Sequence, residues 1–178
     1  IVDWMFRKGL LKDRFSLQGS IRERTVIHQV ERFSVNRNRS ERVANFALSI
    51  YNNTGGLLHH DKGPGRDLLW AAAMLHSCGQ HINLGSYHKH SWYLIRHGEL
   101  LGYSQIEHLM VAGIARYHRK SFPKKRHEAW QCLEMRHDRQ IVSEMALLLR
   151  LAASLDRRPK PALESLEITT GPTLVQIK

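Results

Sequence analysis

Residues 68–79 read LLWAAAMLHSCG, and this stretch decides the fold. It is apolar nearly all round, so a helix formed here has to be central, covered by others on every side. Pro64 stands where such a helix starts and Gly79 where it could stop. A short buried helix of this kind requires a shell of amphipathic ones, and the flanking sequence supplies them.

Upstream, residues 40–56 (SERVANFALSIYNNTGG) place Val43, Phe46, Ala47, Ile50 and Tyr51 at helical spacing from about Arg39 and end at Asn53 to Gly56. Before them, residues 20–35 (SIRERTVIHQVERFSV) pair Ser20 with Glu23 as a capping box and line up Val26, Ile27, Val30 and Phe33. Downstream, residues 86–98 predict a further helix. Residues 104–120 predict another with a second capping box, Ser104 with Glu107, and residues 121–133 form a basic loop leading into a short helix. Residues 138–158 (DRQIVSEMALLLRLAASLDRR) predict a long apolar helix before the Pro159 and Pro161 break.

After that break the period changes from helical to alternating. SLEITT, GP and TLVQIK read as a two-stranded hairpin. An isolated hairpin is marginal by itself, so further strands are expected beyond it. The opening IVDWMFRKGLL predicts a short helix stopped near Gly9, without a start signal, as if the sequence began inside a longer protein. The fold class is therefore mainly α: a bundle of seven to eight helices over residues 1–160, then the start of a small β-sheet over residues 161–178.

Charge is the strongest compositional signal. In 178 residues, 27 Lys and Arg oppose 16 Asp and Glu, a net +11 before any of 12 histidines is protonated. Such a surface attracts polyanions: nucleic acid, inorganic polyphosphate, nucleotides or anionic headgroups. Cys78 and Cys132 are the only cysteines and lack CxxC spacing, which argues against a disulfide framework or zinc knuckle and makes a reducing cytoplasm the expectation. No apolar run is long enough to span a membrane, and nothing resembles a signal peptide. There is no GxxxxGK[ST] and no GxSxG.

Histidines concentrate around the central helix: His76 at its end, His81, then His88 and His90, with His118 closing a later helix. Imidazoles on separate helices could converge on a metal, but such sites normally include a carboxylate, and residues 71–91 contain none. The literal HHD of His59, His60 and Asp61 falls in a Gly/Pro-rich loop and reads as solvated rather than metal-binding. Arg116, Arg119 and Lys120 near a helix end, with Lys124, Lys125 and Arg126 in the basic loop, read partly as complements to a helix dipole and partly as an anion-binding surface. Aromatic residues interleave only sparsely, which weakens a single-stranded nucleic-acid reading.

Three segments together, RVANFALSIYNNT, residues 68–120, and LLLRLAASLDRR, resemble the C-terminal region of the Ppx/GppA family of exopolyphosphatases and guanosine pentaphosphate phosphohydrolases. The resemblance implies that the catalytic actin-like domains and their magnesium lie upstream of Ile1, so that no catalytic residue and no cofactor is expected in this chain. It also implies a helical domain similar to the HD superfamily of metal phosphohydrolases. His76 matches the histidine of the His-Asp pair, but Ser77 stands at the aspartate; the first histidine should fall near Arg39 or Ser40 and is absent, and the distant aspartate should fall near Ala153 and is absent too, with Asp156 about one turn away. His88, His90 and His118 match histidines of the family pattern. With the carboxylates gone, no metal is expected at the degenerate pair His76, Ser77.

The expected function is then the C-terminal domain of an exopolyphosphatase-like phosphoanhydride hydrolase, binding polyphosphate or pppGpp and supporting a homodimer. Candidate contacts are His76, His88, Lys89, His90, Arg116, His118, Arg119, Lys120, Lys124, Lys125 and Arg126, with the imidazoles and guanidinium groups donating to phosphate oxygens. The alternatives are a stand-alone HD-type metal-dependent phosphohydrolase and a basic nucleic-acid or nucleotide-binding module.

Overall fold

A computed structural model of the chain describes residues 19–157, 163, 166–170 and 175–177. Among them are seven α-helices: α1 Ile21–Arg32, α2 Arg37–Asn53, α3 Gly65–Leu75, α4 Tyr87–His97, α5 Gln105–Tyr117, α6 Glu128–Gln131 and α7 Arg136–Leu155, with a 3-10 turn at Cys78–His81. Strand β1 (Ile168–Thr170) pairs antiparallel with β2 (Val175–Ile177), Ile168 opposite Ile177, and β1 lies against α2. The helical bundle and the terminal hairpin are those the sequence predicts. The opening helix at residues 1–11, the Pro159 and Pro161 break, the 160/161 boundary and the turn at residues 171–172 lie outside the described residues.

Local signals explain the starts. Both capping boxes form: Ser20 accepts from the Glu23 amide and Ser104 from the Glu107 amide, while each glutamate returns to the serine's own N–H. Helix α2 begins at Arg37, earlier than its apolar periodicity suggests, because the Asn36 side chain accepts from the Arg39 amide and caps the extra turn. Pro64 is the N-cap of α3.

Helix α3 is central, as its composition requires. Leu68, Leu69 and Ala71 to Ala73 have no exposed surface, and α3 packs on α1, α2, α5 and α7. Its three consecutive alanines keep it thin enough for neighbours to close on every side. Helices α4, α5 and α7 pack in sequence, so the shell wraps around α3.

The end of α3 differs from the sequence expectation. The helix stops at Leu75, with His76 as C-cap, and Gly79 lies inside the 3-10 turn that follows. Gly79 serves close approach rather than termination, since a Cβ there would collide with the Tyr87 carbonyl and the Ser91 amide of α4. The buried Ser91 hydroxyl donates to the His76 carbonyl at 2.8 Å and accepts from the Gly79 amide at 2.9 Å, pinning the turn to α4.

The HHD loop is a second correction. His59 is buried, stacks on Tyr51 with ring centroids 4.0 Å apart, and donates through Nε2 to the Tyr51 carbonyl at 2.8 Å. Asp61 accepts from the Tyr51 hydroxyl and from the Gly65 amide, both at 2.9 Å, and so caps the start of α3. The loop is structural because Tyr51, at the end of α2, offers both a ring face and a hydroxyl.

Replacing Gly79 by alanine is expected to destabilise the chain by about 2–3 kcal/mol, since the obstructing atoms are backbone and cannot rotate away. Urea unfolding of the Gly79→Ala chain measures this. A change near zero would show that the α3–α4 junction is looser than described.

Candidate functional site

The C-terminal ends of α3 and α5 meet at one edge of the bundle. His76 follows α3 and His118 follows α5, and their rings stand edge to face with centroids 5.2 Å apart. Each ring turns back on its own helix, with His76 Nδ1 2.6 Å from the Ala73 carbonyl and His118 Nδ1 2.6 Å from the Ala115 carbonyl. A carbonyl oxygen can only accept, so both Nδ1 atoms carry the proton and both Nε2 atoms present a lone pair. Burial pushes His76 down to about 4, and burial together with the neighbouring His76 pushes His118 down to about 3. Both rings are neutral near pH 7.

These rings line a cleft of about 430 Å³ together with Arg39, Gln80, Tyr87, Arg119, Lys120, Arg150, Ala153, Ser154 and Arg157. Five of its lining residues are cations and none is a carboxylate. Helix α2 contributes Arg39, whose Nε lies 3.2 Å from Asp156 Oδ2 and whose Nη2 donates to the Asp156 carbonyl at 2.8 Å. Arg42 takes the other carboxylate oxygen at 3.1 Å. Asp156 is therefore a buried anchor for two guanidinium groups, with its oxygens already engaged.

Helix α7 contributes Arg150, which donates to the carbonyls of Tyr117 at 2.8 Å, Lys120 at 3.1 Å and His118 at 3.3 Å. It satisfies the terminal carbonyls of α5 while bringing positive charge to the cleft. Arg119 lies over the Tyr87 ring at 4.9 Å, and the Tyr87 hydroxyl donates to His118 Nε2 at 3.2 Å. Arg119, Lys120, Arg150 and Arg157 make no ion pair among the described residues.

Of the sequence candidates, His76, His118, Arg119 and Lys120 line the cleft. His88 is buried at the start of α4, with Nδ1 lacking a hydrogen-bond partner among the described residues; burial and the cations Arg116, Lys120, Arg119 and Lys89 lower it to about 4. Lys89 is exposed and His90 half-buried on α4, and neither lines the cleft. Arg116 stacks over Tyr117 at 5.8 Å, and Lys124, Lys125 and Arg126 are exposed in the α5–α6 loop outside the cleft. Sequence reasoning missed Gln80, Tyr87, Arg150 and Arg157 as lining residues. Arg150 had a signal, a lone cation in the apolar run LLLRLAA.

Three of the positions compared with the HD ligands, Arg39, His76 and Ala153, do converge on this cleft, and Ser77 lines an adjoining hollow of about 420 Å³ that shares Arg39 and Gln80 with it. The donor set does not fit a divalent metal. Two neutral imidazoles, one already bonded to Tyr87, stand among five cations without a carboxylate, and no group of three or more His, Cys, Asp or Glu is placed to hold an ion among the described residues. A smaller hollow of about 270 Å³ near Trp70 sets Arg22 and Arg66 against Glu23 and Asp67, so its charge is balanced. Among the described residues no helix is long and apolar enough to cross a membrane.

The neutral histidines make stability depend on pH. Below about pH 6.5 the unfolded chain takes up protons that folded His76, His88 and His118 refuse until about pH 4 or lower, so stability is expected to fall steadily as pH drops through that window. Thermal unfolding at half-unit pH steps tests this, and a flat profile from pH 6.5 to 4.5 would contradict the burial of these rings.

The sequence matches the family model for Ppx/GppA phosphatase, domain III, over residues 21–174. It is 34% identical over 104 residues to a guanosine-5'-triphosphate,3'-diphosphate pyrophosphatase of Pseudoalteromonas translucida, covering 58% of this chain and 21% of that protein. Proteins of the same name from Pseudoalteromonas atlantica and Vibrio vulnificus are each 29% identical, over 86% and 89% of this chain and 30% and 31% of their own lengths. The chain thus spans between a fifth and a third of these relatives. Since the family match runs from the first turn of α1 into the terminal hairpin, the chain belongs to the Ppx/GppA phosphatase family, in the part of it described as domain III.

Proposed function

We propose that this chain is the phosphate-holding helical domain of a phosphoanhydride hydrolase, with the cleft between α2, α3, α5 and α7 taking the phosphates of polyphosphate or pppGpp. The observation that carries this reading is the lining itself: five cations and no carboxylate, beside a hollow that shares Arg39 and Gln80 with it. Guanidinium groups bind phosphate oxygens with two N–H donors at once, and a lining without carboxylates adds no opposing charge. The names of the relatives favour a guanosine polyphosphate, while a lining of five cations suits a linear polyphosphate equally.

On this reading the bond-breaking residues and magnesium belong to the rest of the parent enzyme, the chain alone hydrolyses nothing, the protein is cytoplasmic, and the domain supports a homodimer. The chemical task of this domain is retention. A long anion held away from the reacting end stays in register while successive anhydride bonds are cut. Neutral His76 and His118 cannot donate through Nε2, so the guanidinium and ammonium groups do the holding and the imidazoles shape the cleft.

Titration of the chain with long-chain polyphosphate at two salt concentrations tests this. Binding is expected to weaken with salt, roughly 0.7 in the log–log slope for each charge neutralised if the chain behaves as a single-stranded polyanion. The double variant Arg119→Gln, Lys120→Asn removes two charges and should lower that slope by roughly 1.4 and weaken binding about tenfold. Asparagine suits Lys120, whose φ is 63°. A triple alanine variant at Lys124, Lys125 and Arg126 should change it less. If the triple variant loses binding instead, or if RNA of matched charge outcompetes polyphosphate, the basic loop is the interface and the cleft reading fails.

A further inference from the structure

One acceptor in this cleft of donors is unanswered. His118 Nε2 receives the Tyr87 hydroxyl, but His76 Nε2 has no hydrogen-bond partner among the described residues, and its ring lines the cleft. Geometry fixes His76 Nδ1 as the donor, because it is engaged at 2.6 Å with a carbonyl that cannot donate, and in the neutral ring that leaves Nε2 as the acceptor. The ring is also hard to protonate. It is 4% exposed and sits beside neutral His118, with Arg39 from α2, Tyr87 from α4, Arg119 and Lys120 after α5, and Arg150 and Arg157 from the α7 side. Asp156, the nearby carboxylate, is occupied by Arg39 and Arg42.

An ionised phosphate oxygen facing that lone pair is repelled, since neither atom carries a hydrogen. A phosphate that retains a P–OH can donate to it while its other oxygens accept from the cations. We infer that His76 is a specificity-determining residue, its Nε2 accepting a hydrogen bond from the P–OH of a protonated phosphate group. At His76 the cleft then takes free orthophosphate or a protonated chain end, while the internal residues of a polyphosphate, which are strong acids and carry no proton near neutrality, lie against the cations beside it. This rests on the cleft being the anion site proposed above, and it adds which phosphate the cleft selects.

Orthophosphate and sulfate separate the two ideas. At pH 8 both are tetrahedral dianions of similar size, and only phosphate carries a hydrogen. Calorimetric titration of the 178-residue chain at matched ionic strength should show phosphate bound at least tenfold more tightly than sulfate. His76→Gln, whose amide can turn a donor toward the cleft, should remove the preference and leave salt-dependent binding of both anions. Should that variant not fold, Tyr87→Phe frees the second lone pair on His118 and should widen the preference for phosphate.

Equal affinity for the two anions in the unaltered chain, as would follow if His76 took up a proton on binding, overturns the inference but leaves the cleft reading intact. A preference that persists in folded His76→Gln, or one that does not widen in Tyr87→Phe, also overturns it. Failure of both anions to bind sinks the cleft reading itself. Tripolyphosphate distinguishes the sources of the ligand. Tripolyphosphate has two ends, and the second gives up its P–OH at higher pH than the first because of the charge already present, so its affinity should fall between about pH 7 and 9.5 while that of orthophosphate, which keeps a P–OH throughout, holds. Tripolyphosphate affinity that does not fall over that range overturns the chain-end arm.

Discussion

Two helices of this bundle end in the same way, and the site depends on it. The last carbonyls of an α-helix have no intrahelical donor and need one from elsewhere. At the ends of α3 and α5 the residue after the helix is a histidine whose Nδ1 reaches back three residues to a carbonyl at 2.6 Å. That bond closes the helix, holds the ring and fixes the tautomer in one step. It also decides the chemistry at the cleft, because the nitrogen left facing outward is an acceptor.

The positive charge of the cleft is arranged around this pair by contacts that are themselves structural. Asp156 holds Arg39 and Arg42 at the start of α2, Arg150 closes the end of α5 through three carbonyls, and Arg119 stacks on Tyr87. The backbone is strained where these groups meet. Ser86, just before Tyr87, and Lys120 both have positive φ, 55° and 63°, which residues with a side chain rarely adopt. Lys120 is held there by the bond from Arg150 to its carbonyl. Arg39, Arg119 and Arg150, which would repel one another in isolation, are kept together because one completes a carboxylate, one a ring face and one a helix end.

Much of the fold was legible because its signals are local. Capping boxes at Ser20 and Ser104, the apolar circumference of 68–75 and the alternation in SLEITT and TLVQIK are encoded within a few residues of the element they form. Where sequence reasoning erred, the deciding partner was distant. Gly79 was taken for a helix stop, yet its lack of a side chain answers to Tyr87 and Ser91 on the next helix. His59 to Asp61 suggested a solvated loop, yet Tyr51 and the start of α3 draw it inward. In the site, His76, His118, Arg119 and Lys120 were found by density of charge and histidine, whereas Arg150 and Tyr87 were hidden in runs that resemble ordinary core and helix start.

By itself the sequence determined a mainly helical domain around one apolar helix, a strongly positive surface, and a histidine-rich stretch, residues 71–91, that holds no carboxylate. Those are properties of composition and short-range periodicity, and they survive any arrangement in space. Only the tertiary structure decided that Arg39, His76, His118, Arg150 and Arg157, separated by up to 118 positions in the chain, share one cleft. It alone decided which nitrogen of each imidazole is bonded back to its own helix and which is left over. A histidine's role as donor or acceptor is set by what its other nitrogen touches, and for His76 and His118 that is a carbonyl whose position exists only once the helix has ended.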